Sequence, residues 1–193
     1  MLDTRKIAEA ISLVFNAPLV TMYAFAVLIL FLNPPSSLFL FLVSALFGGI
    51  LPIAIIFLML KMGITHDMYA SERRTRTKPF MGAIASYLLG IFVLTVFSAP
   101  SSLTALMACY FVNTLVMTVI SLVWKISIHA VGISGPATFL TLQLGAIMLP
   151  FFILLLPVGW ARLKLGAHDL KQVLAGALLT IPLTWVQVVL YLK

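Results

Sequence analysis

Apolar residues fill most of the chain in long runs, and short polar segments separate those runs. A helix needs about 20 mainly apolar residues to cross the hydrocarbon layer of a bilayer. The pattern predicts membrane-spanning helices over residues 13–32, 37–60, 80–97, 103–124, 129–144, 147–161 and 172–192. The sequence therefore predicts an all-α, polytopic transmembrane bundle of six to seven spans, which forms a single domain over residues 1–193.

The apolar stretch before the last run is too long for one crossing. As a single helix, residues 130–161 would extend about 48 Å at 1.5 Å per residue, whereas the hydrocarbon core is about 30 Å thick. Gly145 and Pro150 also interrupt this stretch. We therefore expect two short spans that meet between Gln143 and Ile147, with a single, strongly tilted helix as the alternative.

Composition supports the membrane interpretation. Of the 193 residues, 63% are hydrophobic and only 9% are charged, whereas a soluble domain carries about 25% charged residues. The net charge of +7 would suggest nucleic acid for a soluble protein. Here the basic residues lie between apolar runs, so lipid headgroups or an anionic substrate are the expected partners, and nucleic acid is not.

Nearly all basic residues fall on one side of the predicted bundle. Counting spans along the chain places the following on that side: Arg5, Lys6, Lys61, Arg73, Arg74, Arg76, Lys78, Lys125, Arg162, Lys164 and Lys171. Only Lys193 falls on the other side, and the loops there carry no charge. Because loops rich in Lys and Arg stay in the cytoplasm, we expect a cell-membrane protein whose charged face is cytoplasmic.

A regular spacing marks the last polar segment, which reads R-x5-H-x3-Q-x3-G from Arg162 onward. His168, Gln172 and Gly176 are four residues apart, so they line one face of a helix that then enters the membrane. The pattern resembles the third signature of the type 2 phosphatidic acid phosphatase superfamily, S-R-x5-H-x3-D, which a helix of small residues typically follows. The bundle is accordingly expected to be like that of this family.

The resemblance implies two further elements upstream, and the chain offers a candidate for each. The family's P-S-G-H element corresponds to Ile126-Ser127-Ile128-His129, which keeps the serine and the histidine. The family's K-x6-R-P element corresponds to residues 73–79, with Lys78-Pro79 in place of R-P. The three elements occur in family order with even numbers of spans between them, so they are expected to meet on one side of the membrane.

The chain departs from the family at several positions. Ser71 falls where the family has its lysine, and Ile126 and Ile128 replace the proline and the glycine. Gln172 replaces the family's aspartate. An amide oxygen still accepts the ring N–H of a histidine, but it lacks the charge that stabilises the cationic ring. Asp169 points about 100° away from His168 on a helix and is not expected to replace that carboxylate.

The resemblance implies a metal-independent hydrolase that works through a phosphohistidine intermediate, without a cofactor. By position His168 is the nucleophile, His129 protonates the leaving oxygen and Gln172 orients His168. The expected phosphate ligands are Arg162, Arg76, Lys78, Arg73, Ser127 and Lys125. His66 matches no element of the family. For the two catalytic histidines the alternative is a polar group at the end of a span, and for the basic residues it is ordinary flanking charge.

A site at the membrane face suits a lipid-borne phosphate. The classes considered are polyprenyl phosphates or diphosphates and phosphatidate-type lipids. A second hypothesis is a catalytically impaired relative that binds lipid phosphates or serves as a scaffold. A transporter or channel component is disfavoured, because no acidic residue lies within a span.

Polar residues also line one stripe of the fourth apolar run. They are Tyr110, Asn113, Thr114 and Thr118. In the apolar interior of a membrane bundle, such side chains bond across helices. The stripe therefore predicts interhelical hydrogen bonds.

Overall fold

The computed structural model describes residues 3–65 and 75–192, and this part of the chain is all helical. The α-helices are α1 Thr4–Val14, α2 Ala17–Leu32, α3 Ser37–Ala45, α4 Leu51–Lys61, α5 Thr77–Val96, α6 Ser101–Val123, α7 Ile128–Leu144, α8 Leu155–Lys164 and α9 Leu170–Leu192. A π-helical turn, Leu46–Ile50, joins α3 to α4, and a 3-10 helix, Ala146–Leu154, leads into α8.

Five helical segments are long and apolar enough to cross a membrane. They are Ser37–Lys61, Thr77–Val96, Ser101–Val123, Ala146–Lys164 and Leu170–Leu192. The bent pair of α1 and α2 forms a sixth if it is taken as one span. The described chain is thus an all-helical bundle with five to six candidate membrane spans, which is compatible with an integral membrane protein.

The first predicted span, residues 13–32, is not one straight helix. α1 and α2 meet at an angle of 53°. The break lies at Asn16, whose side-chain oxygen accepts a hydrogen bond from the backbone N–H of Leu19 at 2.9 Å. This contact caps the start of α2, and Pro18 occupies its first turn, where the missing N–H of proline costs no helical bond.

The outer surface is apolar, and the interior holds polar side chains. Val123 is 81% exposed and Leu30 is 77% exposed, whereas Ser134 and Thr180 are fully buried. A water-soluble protein shows the opposite arrangement. Small hydroxyl side chains between helices and leucines on the outside are typical of helices packed in lipid.

The centre of the bundle is α7, which is buried on all sides from His129 to Leu140. At its start, the backbone N–H of Ser127 donates to the carbonyl oxygen of Gln172 at 3.2 Å, just inside α9. At its end, the Ser102 hydroxyl at the start of α6 donates to Gln143 at 2.9 Å. α7 therefore runs from one end of the bundle to the other, parallel to α9 and antiparallel to α6.

The long apolar stretch divides after Leu144. Gly145 has a positive φ of 92°, and the 3-10 helix begins at the next residue. This break lies inside the junction predicted between Gln143 and Ile147. The chain then returns to the end of the bundle at which α7 begins.

Within the polar stripe of α6, Asn113 makes the interhelical hydrogen bonds that the sequence predicted, and it makes them to α9. Asn113 donates to the hydroxyl of Thr184 at 3.0 Å, and Gln187 donates to the side-chain oxygen of Asn113 at 2.8 Å. Thr118 differs, because its hydroxyl donates to the carbonyl oxygen of Thr114 within α6, at 2.7 Å. The interhelical bonds fix α6 against α9 beside the central helix.

Candidate active site

Three segments that are far apart in the sequence meet at the basic end of the bundle. The guanidinium of Arg76, just before α5, donates through Nη1 to the carbonyl oxygen of Ile126 at 3.0 Å. The next residue, Ser127, donates its backbone N–H to the carbonyl oxygen of Gln172 at 3.2 Å. These two hydrogen bonds tie the segment before α5, the start of α7 and the start of α9 into one cluster.

The spacing between Arg162 and His168 follows from the way α8 ends. The backbone N–H of Ala167 donates to the carbonyl oxygen of Arg162 at 3.1 Å, and that of Gly166 donates to Leu163 at 3.0 Å. Gly166 has a φ of 63°, which is a left-handed conformation that favours glycine. This is a Schellman motif. The His168 N–H also reaches the Arg162 carbonyl, at 3.3 Å, so one turn sets both residues.

His168 is held by the residue one helical turn further on. Its Nδ1 atom lies 2.9 Å from Oε1 of Gln172. Because an amide oxygen only accepts hydrogen bonds, Nδ1 carries the proton in this contact. Nε2 then bears the lone pair, so it is the nucleophilic atom of the neutral ring.

Asp169 has a structural role. Its carboxylate oxygen accepts the backbone N–H of Gln172 at 2.8 Å, which is the N-cap contact expected at the start of α9. The carboxylate is therefore engaged with the helix backbone, and the ring proton of His168 is bound by Gln172. Asp169 thus caps the backbone of α9, whereas Gln172 binds the ring of His168.

Gly176 lets α9 approach the start of α7 closely. A Cβ atom at this position would lie 2.6 Å from the carbonyl oxygen of Ser127, far inside van der Waals contact. His168, Gln172 and Gly176 share one face of the turn and helix, and that face meets Ser127. The x3 spacing of the motif therefore corresponds to a packed contact between two helices.

His129 and Arg162 both contact α1. The ring atom Nε2 of His129 lies 3.2 Å from the carbonyl oxygen of Ser12, so Nε2 donates. The hydroxyl of Ser12 accepts from Nη1 of Arg162, also at 3.2 Å. Ser12 is fully buried and was not predicted as a site residue. The only signal in the sequence was its place four residues after Ala8, the other buried residue of α1.

Burial and neighbouring cations keep His168 neutral. His168 is 8% exposed. Its pKa is lowered to about 4, and desolvation by burial is the largest cause. The hydrogen bond with Gln172 acts in the opposite direction, and the positive charges of Arg162, Arg76 and Lys125 contribute to the lowering. These three cations are therefore close enough to His168 for their fields to act on it.

The remaining predicted ligands differ in their placement. Ser127 is fully buried, and its hydroxyl accepts the N–H of Ala130 at 3.4 Å as the cap of α7. Lys125 is half-buried. Lys78 is exposed, because it lies two residues after the buried Arg76 and faces the opposite side of the chain. Arg73, together with Ser71 and His66, lies outside the described residues.

A cavity of about 550 Å³ lies beside His129, between α2, α4, α5, α6 and α7. Most of its walls are apolar side chains of these helices. Within the described residues, no group of three or more His, Cys, Asp and Glu side chains is placed to hold a metal ion. The cluster therefore contains two histidines and buried cations, and an apolar cavity adjoins one of these histidines, His129.

Comparison with protein-family models, with curated proteins and with solved structures gives no match.

Proposed function

We propose that the chain is a membrane-embedded phosphatase of the type 2 phosphatidic acid phosphatase kind, which hydrolyses a lipid-borne phosphate or diphosphate. The observation that carries the proposal is the state of His168. Its Nδ1 proton is bound to Gln172 at 2.9 Å, and its Nε2 lone pair is available on a neutral ring. The positive charges of Arg162, Arg76 and Lys125 act on this ring and lower its pKa.

In the first step, Nε2 of His168 attacks phosphorus, and the bond from phosphorus to the leaving oxygen breaks. His129 gives a proton to that oxygen, and the product is a phosphohistidine. Splitting one difficult displacement into two easier ones is the usual benefit of covalent catalysis. In the second step, water attacks the phosphorus and passes a proton to His129, while the phosphorus–nitrogen bond breaks and phosphate leaves.

The ring of His129 has a fixed orientation for this task. Nε2 donates to the Ser12 carbonyl oxygen, so we assign the exchange of the catalytic proton to Nδ1. The carbonyl oxygen keeps the N–H on Nε2 in either protonation state, so Nδ1 is the atom left to gain and lose the catalytic proton.

Charge that develops on the phosphoryl oxygens is met by fixed donors. Arg162 and Arg76 are 3% and 2% exposed, and a guanidinium fork suits two phosphate oxygens at once. The Ser127 hydroxyl proton and the backbone N–H of Ile128 add donors at the start of α7, where the helix dipole also favours an anion. Donors held in a buried site need little reorganisation during the reaction.

The amide at Gln172 favours a second candidate, a relative that binds lipid phosphates and turns them over slowly or not at all. Loss of the carboxylate in a serine-protease triad costs about 10⁴ in rate. Here the ring orientation survives, at 2.9 Å, so we place catalysis first.

The test compares wild type with His168→Ala in phosphate release from farnesyl diphosphate, with protein purified and reconstituted in lipid nanodiscs. Lys164→Ala, an exposed cation two residues after Arg162, is the matched control. We expect His168→Ala to abolish turnover and Lys164→Ala to retain it. Equal turnover by wild type and His168→Ala would remove the site assignment. Substrate binding without phosphate release by wild type would favour the second candidate.

We also propose that the basic end of the bundle faces the cytoplasm, following the Lys and Arg bias. A cysteine at Thr75, next to Arg76, tests the orientation through labelling with a membrane-impermeant thiol reagent. Labelling only in broken cells agrees with the proposal, and labelling in intact cells would place the site outside.

A further inference from the structure

The break between α1 and α2 releases one backbone carbonyl group of α1. In a continuous α-helix, the N–H of residue 16 would donate to the carbonyl oxygen of Ser12. Instead, the backbone N–H and the side-chain amide of Asn16 both donate to the carbonyl oxygen of Leu13, at 3.5 and 2.9 Å. The Ser12 carbonyl oxygen is thereby left to a different donor, and Nε2 of His129 lies 3.2 Å from it.

The hydroxyl of Ser12 contacts a second group of the candidate site. It accepts from Nη1 of Arg162 at 3.2 Å. One fully buried residue therefore joins the proposed general acid, His129, to a proposed phosphate ligand. Both groups donate at the C-terminal end of α1, where the helix dipole favours positive charge. This end of α1 thus suits a guanidinium and an imidazole that becomes positive during the reaction.

Close packing holds this end of α1 in place. A Cβ atom at Gly132, three residues after His129, would lie 3.0 Å from the Cβ and 3.1 Å from the Cα of Ala17. The junction of α1 and α2 is thus packed tightly against the first turns of α7. α1 also packs on α8, which carries Arg162 in its last turn. α1 is therefore fixed against both helices that supply the two donors.

We infer that Ser12 is a positioning residue of the proposed reaction. Its hydroxyl orients the Arg162 guanidinium toward the phosphoryl group, and its carbonyl group orients the His129 ring so that Nδ1 faces the leaving oxygen. The inference rests on the proposed function. It gives α1 a share in the site, although this helix carries none of the three sequence elements from which the site was predicted.

Orientation matters for both partners of Ser12. A guanidinium binds two phosphate oxygens only when its fork lies in their plane, and a general acid must lie within hydrogen-bond reach of the leaving oxygen. A misplaced group loses most of its effect even when the residue itself is retained. The two contacts of Ser12 should therefore have different signatures, one in phosphate binding and one in departure of the leaving group.

Ser12→Ala tests the hydroxyl through the binding of farnesyl diphosphate, measured in nanodiscs in the His168→Ala background. Ser134→Ala is the matched control, because Ser134 is equally buried and its hydroxyl donates to the carbonyl oxygen of Ala130 within α7. We expect Ser12→Ala to weaken binding about tenfold and Ser134→Ala to leave it unchanged. Arg162→Lys keeps the charge but not the fork, so in that background Ser12→Ala should have an effect of less than about twofold.

Several binding results would overturn the role of the hydroxyl. They are an unchanged affinity in Ser12→Ala, the same loss with and without Arg162→Lys, and no binding by the parent protein. If Ser12→Ala does not fold, Ser12→Cys replaces it in the comparison, because a thiol fits a similar space and is only a weak acceptor.

Asn16→Ala tests the carbonyl group. Without the side-chain contacts of Asn16, the N–H of residue 16 is free to take its helical partner, the Ser12 carbonyl oxygen, and to compete with His129. Asp3→Ala is the control, because it removes a side-chain cap from the start of α1 and leaves the junction with α2 intact.

The measurement is kcat for phenyl phosphate and for 4-nitrophenyl phosphate. The two esters differ in how much the leaving oxygen needs a proton, because the nitro group delocalises the charge of the departing phenolate. We expect Asn16→Ala to lower kcat about tenfold for phenyl phosphate and to leave 4-nitrophenyl phosphate nearly unchanged, with Asp3→Ala without effect on either. An equal loss with both esters, or no loss with phenyl phosphate, would overturn the role of the carbonyl group.

Turnover by wild type separates this inference from the proposed function. If wild type hydrolyses neither ester nor farnesyl diphosphate, the proposed phosphatase fails, and the role of Ser12 toward His129 fails with it. The binding comparison then still decides the role of Ser12 toward Arg162, since it needs no turnover. If wild type turns the substrates over while Ser12→Ala and Asn16→Ala behave like their controls, the phosphatase stands and the positioning role is overturned.

Discussion

Nδ1 of His168 and Oε1 of Gln172 lie 2.9 Å apart, across one turn at the start of α9. The amide supplies the geometry that a carboxylate would supply, because it accepts the ring proton and orients the ring. It does not supply a negative charge. The pair therefore separates the orienting role of this position from its electrostatic role.

Gln172→Glu should increase turnover. A carboxylate at the same position would raise the pKa of His168 from about 4 and stabilise the positive ring that forms during attack. We expect kcat/KM at pH 7 to rise about tenfold or more. The neutral ring is the nucleophile, so wild-type activity should fall only as the pH drops through about 4, and the variant should lose activity at a higher pH. An unchanged acid limb in the pH–rate profile would contradict the orientation of His168 by Gln172.

Acid should destabilise the protein through His168. Its folded-state pKa of about 4 lies below the ordinary histidine value of 6.5, so the unfolded chain takes up a proton at a higher pH than the folded chain. The stability is fully present above pH 6.5 and is lost as the pH falls toward 4, by at most about 3 kcal/mol. Thermal unfolding of wild type and His168→Asn from pH 7.5 to 4 measures this. Identical pH slopes for the two proteins would rule out His168 as the source.

Arg76 and Lys78 should differ in their importance. Arg76 is buried and donates to the Ile126 carbonyl oxygen at 3.0 Å, whereas Lys78 is exposed. Arg76→Met removes a proposed phosphate ligand and leaves a buried carbonyl without this donor, so we expect at least a hundredfold loss in kcat/KM, from an effect of about 3 kcal/mol. Lys78→Met should change it less than threefold. Equal losses would show that the charge of the segment matters and that the contact does not.

Gly176→Ala should separate the start of α9 from α7. The added Cβ would lie 2.6 Å from the Ser127 carbonyl oxygen, and backbone atoms at that distance cannot adjust by rotating a side chain. We expect a loss of about 2 kcal/mol in stability together with loss of activity. Gly159→Ala is the control, because its Cβ would meet a methyl group of Val173 at 3.3 Å. A melting temperature equal to that of wild type in Gly176→Ala would contradict the close packing.

Local signals made most of the fold predictable. Long apolar runs located the helices from Ser37 onward, and Gly145 marked the division of the long stretch. The break between α1 and α2 was missed, because Asn16 is a single polar residue within an apolar run. The cap that Asn16 makes, with Pro18 following it, was the signal that would have identified the break.

The candidate site divides in the same way. One turn and one helix set the spacing of Arg162, His168 and Gln172, so this spacing could be predicted from the sequence. Ser12 contacts His129 and Arg162, which follow it in the chain by more than 100 residues. No local sequence pattern predicts contacts between residues so far apart. The sequence also did not show that Arg76 is buried and Lys78 is exposed, because α5 begins between these two residues, at Thr77.

The complete enclosure of α7 bears on how the protein is assembled. The stretch from His129 to Leu140 is buried among other helices and beside the cavity, and it carries histidine, serine, threonine, glycine and proline. Its main neighbour is α9, which follows it in the chain and is therefore synthesised later. We therefore expect α7 to reach its buried position only after α9 has also entered the bundle.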